Sequence, residues 1–141
     1  MTSESRDKLE AQIRRLVLRG DIEAATTNAL RGYGGEIYGF LLAFHRREDD
    51  AADVFSIFSE RVWKGIATFD WASSFRTWAY TIARNASLTY RSNATKRAKR
   101  FEPLPEGSII EEIAEEIRSQ TRSYLKTELK EQVARLRESL S

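Results

Sequence analysis

The chain has 141 residues, 41% of them hydrophobic and 31% charged, with 7 Gly and 2 Pro, which is the size and balance of one globular domain. That composition excludes a disordered or collagen-like chain, and 23 basic against 21 acidic residues leave a net charge of only +2. The absence of cysteine and the single histidine, His45, exclude a disulfide scaffold and leave a Cys/His zinc site or a histidine-based catalytic triad without the groups it needs.

In chain order, the opening Met1 to Asp7 is polar and mixed in charge. It does not resemble a secretory leader, and a cytoplasmic protein is expected. Leu9, Ile13, Leu16 and Val17 recur at helical spacing and predict an amphipathic helix that stops at Gly20. Asp21 can cap a second helix through Leu30, with Gly32 and the Gly34-Gly35 pair as its stop. Ile37, Tyr38, Phe40, Leu41, Leu42 and Phe44 predict an apolar third helix at the centre of the core. The uncharged stretch Ile37–His45 covers 9 residues, far short of the ~20 that span a bilayer. His45, at that helix end, is expected to be structural.

Asp49 or Asp50 can cap a fourth helix with Val54, Phe55, Phe58, Val62 and Ile66 on one stripe. After a short loop, Ser73 or Ser74 can cap a fifth, with Phe75, Trp78, Ala79, Ile82 and Ala86 facing inward. Phe101 to Gly107, which holds both prolines, reads as a linker. Ser108-Ile109-Ile110-Glu111 fits a capping box opening a last helix to about Leu140. Its stripe of Ile109, Ile113, Ile117, Leu125, Leu129, Val133, Leu136 and Leu140 is less regular near Gln120 and Thr121. It ends without a Gly or Pro stop, as at a boundary placed within a longer chain. The fold class expected is all-α, a compact helical bundle followed by a linker and a long amphipathic helix.

The chemistry-bearing stretch is Thr68 to Tyr80, in which five of thirteen residues are aromatic. Phe75 and Trp78 fall on the inward stripe, but Phe69 and Trp71 lie in the loop and Tyr80 points away from Trp78. Thr81, Arg84, Asn85, Leu88 and Arg91 recur at three and four and define one outward face. Arg91 to Arg100 carries five cations and no acid, whereas the segment from Glu102 onward carries nine acids and six bases. Aromatic rings beside cations suit unpaired nucleic acid, because bases stack for about 1–3 kcal/mol each while cations hold the backbone. A packed core with a solvated surface is the plainer reading of the same residues. The acidic cluster Glu111, Glu112, Glu115 and Glu116 suits a helix N-terminus better than a divalent metal. No metal and no cofactor are expected.

Two strings carry a family resemblance. Asp49-Asp50-Ala51-Ala52-Asp53-Val54 leads through Arg61-Val62-Trp63-Lys64-Gly65-Ile66 to Phe69. Ser73-Ser74-Phe75-Arg76-Thr77-Trp78-Ala79-Tyr80 then continues into Thr81-Ile82-Ala83-Arg84-Asn85. They resemble region 2 of an extracytoplasmic-function (ECF) sigma factor of bacterial RNA polymerase, in the sigma-70 superfamily. The likeness covers about Leu9 to Arg100 and implies a region 2 domain over residues 1–100, a linker at 101–107, and at 108–141 a helix leading into a second sigma domain that is missing here.

The resemblance implies a binding protein and not an enzyme, an alternative sigma factor with core polymerase and promoter DNA as partners and an anti-sigma factor as a further one. It places the β′ clamp helices of the polymerase on Asp53, Ser56, Ile57, Glu60, Arg61 and Lys64. It makes Phe69, Asp70, Trp71 and Ser73 part of a pocket for a base flipped out of the −10 element, with Phe69 a stacking wall. Tyr80 and Asn85 would face that element, Asn85 as the base reader because an amide both donates and accepts. Arg84, Arg91, Lys96 and Arg97 would pair with phosphates.

The sequence departs from the family where Ser56-Ile57 stand in place of a common Gln-Glu pair, and where Phe69-Asp70-Trp71 stands in place of Phe-Arg-Gly. Those departures favour a second reading, a degenerate sigma-like module that holds a partner and reads no DNA. The last helix is expected to fold back over the DNA face, its acids against the basic patch, or to pair with a second copy.

Overall fold

Each helix that the described part of the chain forms has an identifiable start. A computed structural model describes residues 1–93 and 108–140, and the linker read at 101–107 and the cations Lys96 and Arg97 lie outside it. The elements are α1 (Ser3–Leu18), α2 (Ile22–His45), α3 (Glu48–Gly65), a 3-10 turn (Ile66–Thr68), α4 (Phe75–Ser92) and α5 (Ile109–Leu140). The fold is all-α. No helix among the described residues is long and apolar enough to cross a membrane.

Side-chain caps open four of the five helices among the described residues. Thr2 accepts from the Ser5 amide at 3.1 Å, Asp21 from Ala24 at 3.4 Å, Ser74 from Thr77 at 3.1 Å and Ser108 from Glu111 at 3.1 Å, each satisfying a donor the helix leaves unpaired. Of the two serines that could cap α4, Ser74 does so. The cap expected at Asp49 or Asp50 is not formed. Arg47 occupies the N-cap of α3 without a side-chain bond, and Glu48, Asp49 and Asp50 lie in the first turn, where carboxylates complement the helix dipole.

The break expected at Gly32 and Gly34-Gly35 does not occur, and the second and third sequence helices are one α2 of 24 residues. Each glycine costs a helix about 1 kcal/mol relative to alanine. That cost is outweighed because α2 is the central rod, against which α1, α3, α4 and α5 all pack. Two of the glycines are close-approach sites. A Cβ at Gly32 would overlap the Leu9 side chain of α1, and one at Gly34 would lie 2.8 Å from Ile117 Cδ1 of α5. α2 ends at Arg46, whose backbone is left-handed (φ 61°) and whose amide bonds the Leu42 carbonyl at 2.9 Å, a C-terminal stop made without glycine.

The core runs through α2, α3 and α4 around Tyr33, Ile37, Tyr38, Leu41, Phe55, Phe58 and Phe75, all essentially inaccessible. Tyr38 meets Phe55 edge-on at 5.4 Å and Tyr33 stacks on Phe75 at 5.9 Å, geometries that add to simple area burial. The first half of α5 joins this core through Ile110, Ile113, Ala114 and Ile117, so Ile110 and not Ile109 begins its inward stripe. Beyond Gln120 the helix leaves the bundle, and Leu125, Leu129, Leu136 and Leu140 are exposed. α5 lies on α2 and α3, not over the α4 face where the sequence places DNA.

Candidate nucleic-acid interface

The loop before α4 is built from the chain's densest group of rings. Phe69 lies 4.7 Å from Trp78, nearly parallel at 14°, and 4.8 Å from Trp71, and its edge meets Phe75 at 6.4 Å. Phe69 and Trp71 are therefore half-buried and pack on each other, where the sequence alone suggests open loop aromatics. The reason is that bare rings on so short a loop remove more apolar area from water by packing together than by standing apart. Trp71 holds left-handed backbone (φ 59°), a conformation that costs a bulky residue about 1–2 kcal/mol. Its neighbours offset that strain. The Asp70 carboxylate accepts from the Ala72 amide at 3.0 Å, closing an Asx turn around it, and the Arg14 guanidinium of α1 lies 5.4 Å over the indole. Ser73 is exposed and donates to the Ser74 carbonyl at 3.1 Å.

A residue that sequence reading missed fixes this loop to the bundle. The Glu10 carboxylate of α1 accepts from the Phe75 amide at 2.6 Å, from the Arg76 amide at 3.3 Å and from the Tyr33 hydroxyl at 2.6 Å. It is a second cap on α4, supplied from 65 residues away, and no local sequence pattern encodes a partner that distant. Burial above all, and the Glu10 carboxylate beside it, push the Tyr33 hydroxyl above its ordinary range, so it stays a donor. The nearer cap has a separable contribution. Ser74→Ala should lower thermal stability by about 1 kcal/mol, read as the shift of the circular-dichroism melting transition.

From this loop one exposed face runs along α4. Thr77, Thr81, Arg84, Asn85, Leu88 and Arg91 are all exposed, while Phe75, Ala79, Ala83, Ala86 and Tyr90 turn inward. Asn85 stands ~16 Å along the axis from the Ser74 cap at 1.5 Å per residue. The Arg91 guanidinium lies 5.3 Å from the Phe44 ring, and Arg84 projects from the same stripe two turns before it. Tyr80 is at the edge of this face, half-buried against Phe40 at 5.7 Å and beneath the Arg76 guanidinium at 5.1 Å. Arg76 is committed to Glu36, with Nε 2.8 Å from its carboxylate. The face thus brings together cations, an exposed amide and, at its start, a ring cluster.

A second face lies on α3. Ile57 is half-buried, Arg61 is exposed, and Lys64 pairs with Glu60 at 2.5 Å. Asp53 accepts from the Tyr90 hydroxyl at 2.9 Å and Asp50 from the same group at 3.1 Å, tying α3 to the end of α4. Burial first, then these carboxylates, raise the Tyr90 hydroxyl. Ser56 accepts from Arg118 Nη1 of α5 at 3.0 Å. His45 is structural as expected, its Nε2 3.0 Å from the Ser87 hydroxyl and its ring edge-on to Tyr90 at 5.8 Å. Three acids in the first turns of α5 are engaged by arginines: Glu111 and Glu115 by Arg118, and Glu116 by Arg31.

A family model described as Sigma-70 region 2 matches residues 30–97 of the chain. The match takes in α2 from Leu30 onward, all of α3, the aromatic loop and α4. Neither the curated proteins nor the solved structures compared with the chain give a match.

Proposed function

Residues 30–97 are a region 2 domain of the sigma-70 family, with a role in transcription initiation, and from that premise we propose that this chain is an ECF-type sigma factor that holds the non-template strand of the −10 element. The observation that carries the reading is the continuous exposed stripe of α4, which leads from the ring-lined loop through Arg84 and Asn85 to Arg91. Phosphates on Arg84 and Arg91 set register, and the Asn85 amide reads a base edge. The loop around Phe69 and Trp71 receives an unpaired base. Opening follows because unpaired bases are bound better than the duplex, and that difference alone shifts the equilibrium. Core polymerase is held through its β′ clamp helices on the α3 face of Asp53, Ser56, Ile57, Glu60, Arg61 and Lys64, and the compartment is the cytoplasm. The family is not an enzyme class.

Co-purification with core polymerase, with and without the β′ clamp helices, tests the partner. Stoichiometric binding that disappears with the clamp helices supports the reading. Strand recognition separates by residue. Asn85→Ala should erase most of the preference for a matched over a scrambled single strand, a difference of about 1–3 kcal/mol. Arg84→Ala should weaken both strands alike and lower the slope of log affinity against log salt by about 1. Equal losses on both strands for Asn85→Ala would remove it as the base reader. A second reading, a sigma-like module that holds a partner and reads no DNA, is favoured by the Arg118–Ser56 bond and the closed packing of Phe69 on Trp71. The absence of salt-dependent binding to a single-stranded oligonucleotide would favour it.

A further inference from the structure

We propose that the first half of α5 is a built-in cover for the polymerase-facing side of α3, occupying the flank on which the β′ clamp helices would sit. The inference rests on the polymerase reading above. Arg118 is the latch. Its side chain is 9% exposed, and its guanidinium donates to Ser56 Oγ at 3.0 Å and to Glu115 at 2.5 Å and lies 3.6 Å from Glu111. A guanidinium this buried is expensive to hold unless its donors are met, so its orientation toward Ser56 is specified and not incidental. One turn later Arg122 reaches back to Glu48 of α3 at 3.2 Å.

Below the latch, Ile117 seats against Gly34, where any Cβ would be 2.8 Å from its Cδ1. Asp53 and Ser56 share one surface groove with Glu115, Arg118 and Arg122. Packed helices sit ~8–10 Å apart axis to axis, so a foreign helix cannot reach the Ser56 edge of α3 while α5 lies there. Of the remaining candidate positions, Ile57 and Glu60 are half-buried, but Arg61 and Lys64 are exposed on the turns of α3 that follow, which gives a partner a foothold from which to displace α5. Among the described residues only four buried apolar side chains come from α5, so displacement leaves the α1–α4 core in place.

A reversible lock tests this on the full chain. The chain has no cysteine, and a Cβ at position 35 of α2 would lie 3.9 Å from Thr121 Oγ1 of α5, within the reach of a disulfide. In Gly35→Cys/Thr121→Cys, oxidation should weaken binding to core polymerase by about tenfold or more, and reduction should restore it. Arg118→Ala in the unmodified background should tighten binding several-fold. Single-strand affinity, which depends on α4, should be the same in the oxidised and reduced protein.

Equal polymerase affinity in both redox states, or weaker binding by Arg118→Ala, overturns the cover and leaves the polymerase reading standing, the second result because α5 would then be part of the binding surface. If no form binds polymerase while circular dichroism shows the helices intact, the polymerase reading itself fails, and this inference with it.

Discussion

Glu10→Ala is expected to lower the unfolding free energy by about 3 kcal/mol, one of the two largest effects predicted for a single side chain here. Its carboxylate accepts three hydrogen bonds, two from the first-turn amides of α4 and one from the Tyr33 hydroxyl. Bonds to a charged acceptor contribute about 1.5–3 kcal/mol each, and they are not additive when they share one group. Truncation also leaves the Tyr33 hydroxyl, on a residue only 1% exposed, without its acceptor. Tyr33→Phe should cost less, about 1 kcal/mol, because donor and demand disappear together. Urea unfolding followed by circular dichroism checks this, with the midpoint falling and the slope unchanged. A loss for Glu10→Ala no larger than for Tyr33→Phe would mean that the α4 amides find water at no cost. The functional counterpart is that the α4 N-terminus loses its hydrogen-bonded tie to α1, so single-strand affinity should fall even though Glu10 touches no nucleotide.

How much of the molecule is legible in its sequence depends on the range of the interaction. The all-α class, the Asp21 and Ser108 caps and the outward stripe from Thr81 to Arg91 are readable, because each is encoded by residues within a few turns of one another. The irregularity of the last stripe near Gln120 and Thr121 is a real signal. It marks where α5 passes from buried Ile117 to exposed Leu125. What is not readable is what depends on tertiary contact. The glycines of α2 look like helix stops until Leu9 and Ile117 are placed against them. Acid clustering suggests that α5 lies across the basic α4 face, yet Glu111, Glu115 and Glu116 pair with Arg31 and Arg118, and the helix packs through its apolar residues on α2 and α3. The site is legible as a set of residues. The packing of Phe69 between Trp71 and Trp78, and the reach of Glu10 across 65 positions, are not.

The ring cluster carries the second large effect, and it separates packing from recognition. Phe69→Ala should cost about 2–3 kcal/mol of stability, below the full range for a buried phenylalanine because the ring is only half-buried. The substitution removes the ring that packs on Trp78 at 4.7 Å and on Trp71 at 4.8 Å. Without that ring, Trp71 keeps only the Asp70 turn and the Arg14 guanidinium to hold its left-handed backbone, and the loop relaxes. Affinity for a −10 single strand should fall by about tenfold or more, the equivalent of one stacked base.

Phe69→Leu is the decisive partner, because it returns most of the apolar volume but no flat aromatic surface. If Phe69 is a stacking wall, leucine should recover stability to within about 1.5 kcal/mol of the parent while strand affinity stays low. Recovery of both would show that the ring serves as core alone, and that the base stacks on Trp71. The two outcomes are told apart by melting curves and strand titrations on the same three proteins. They decide whether Asp70-Trp71, the point where this loop departs from its family, is a structural filler or the surface that meets the DNA.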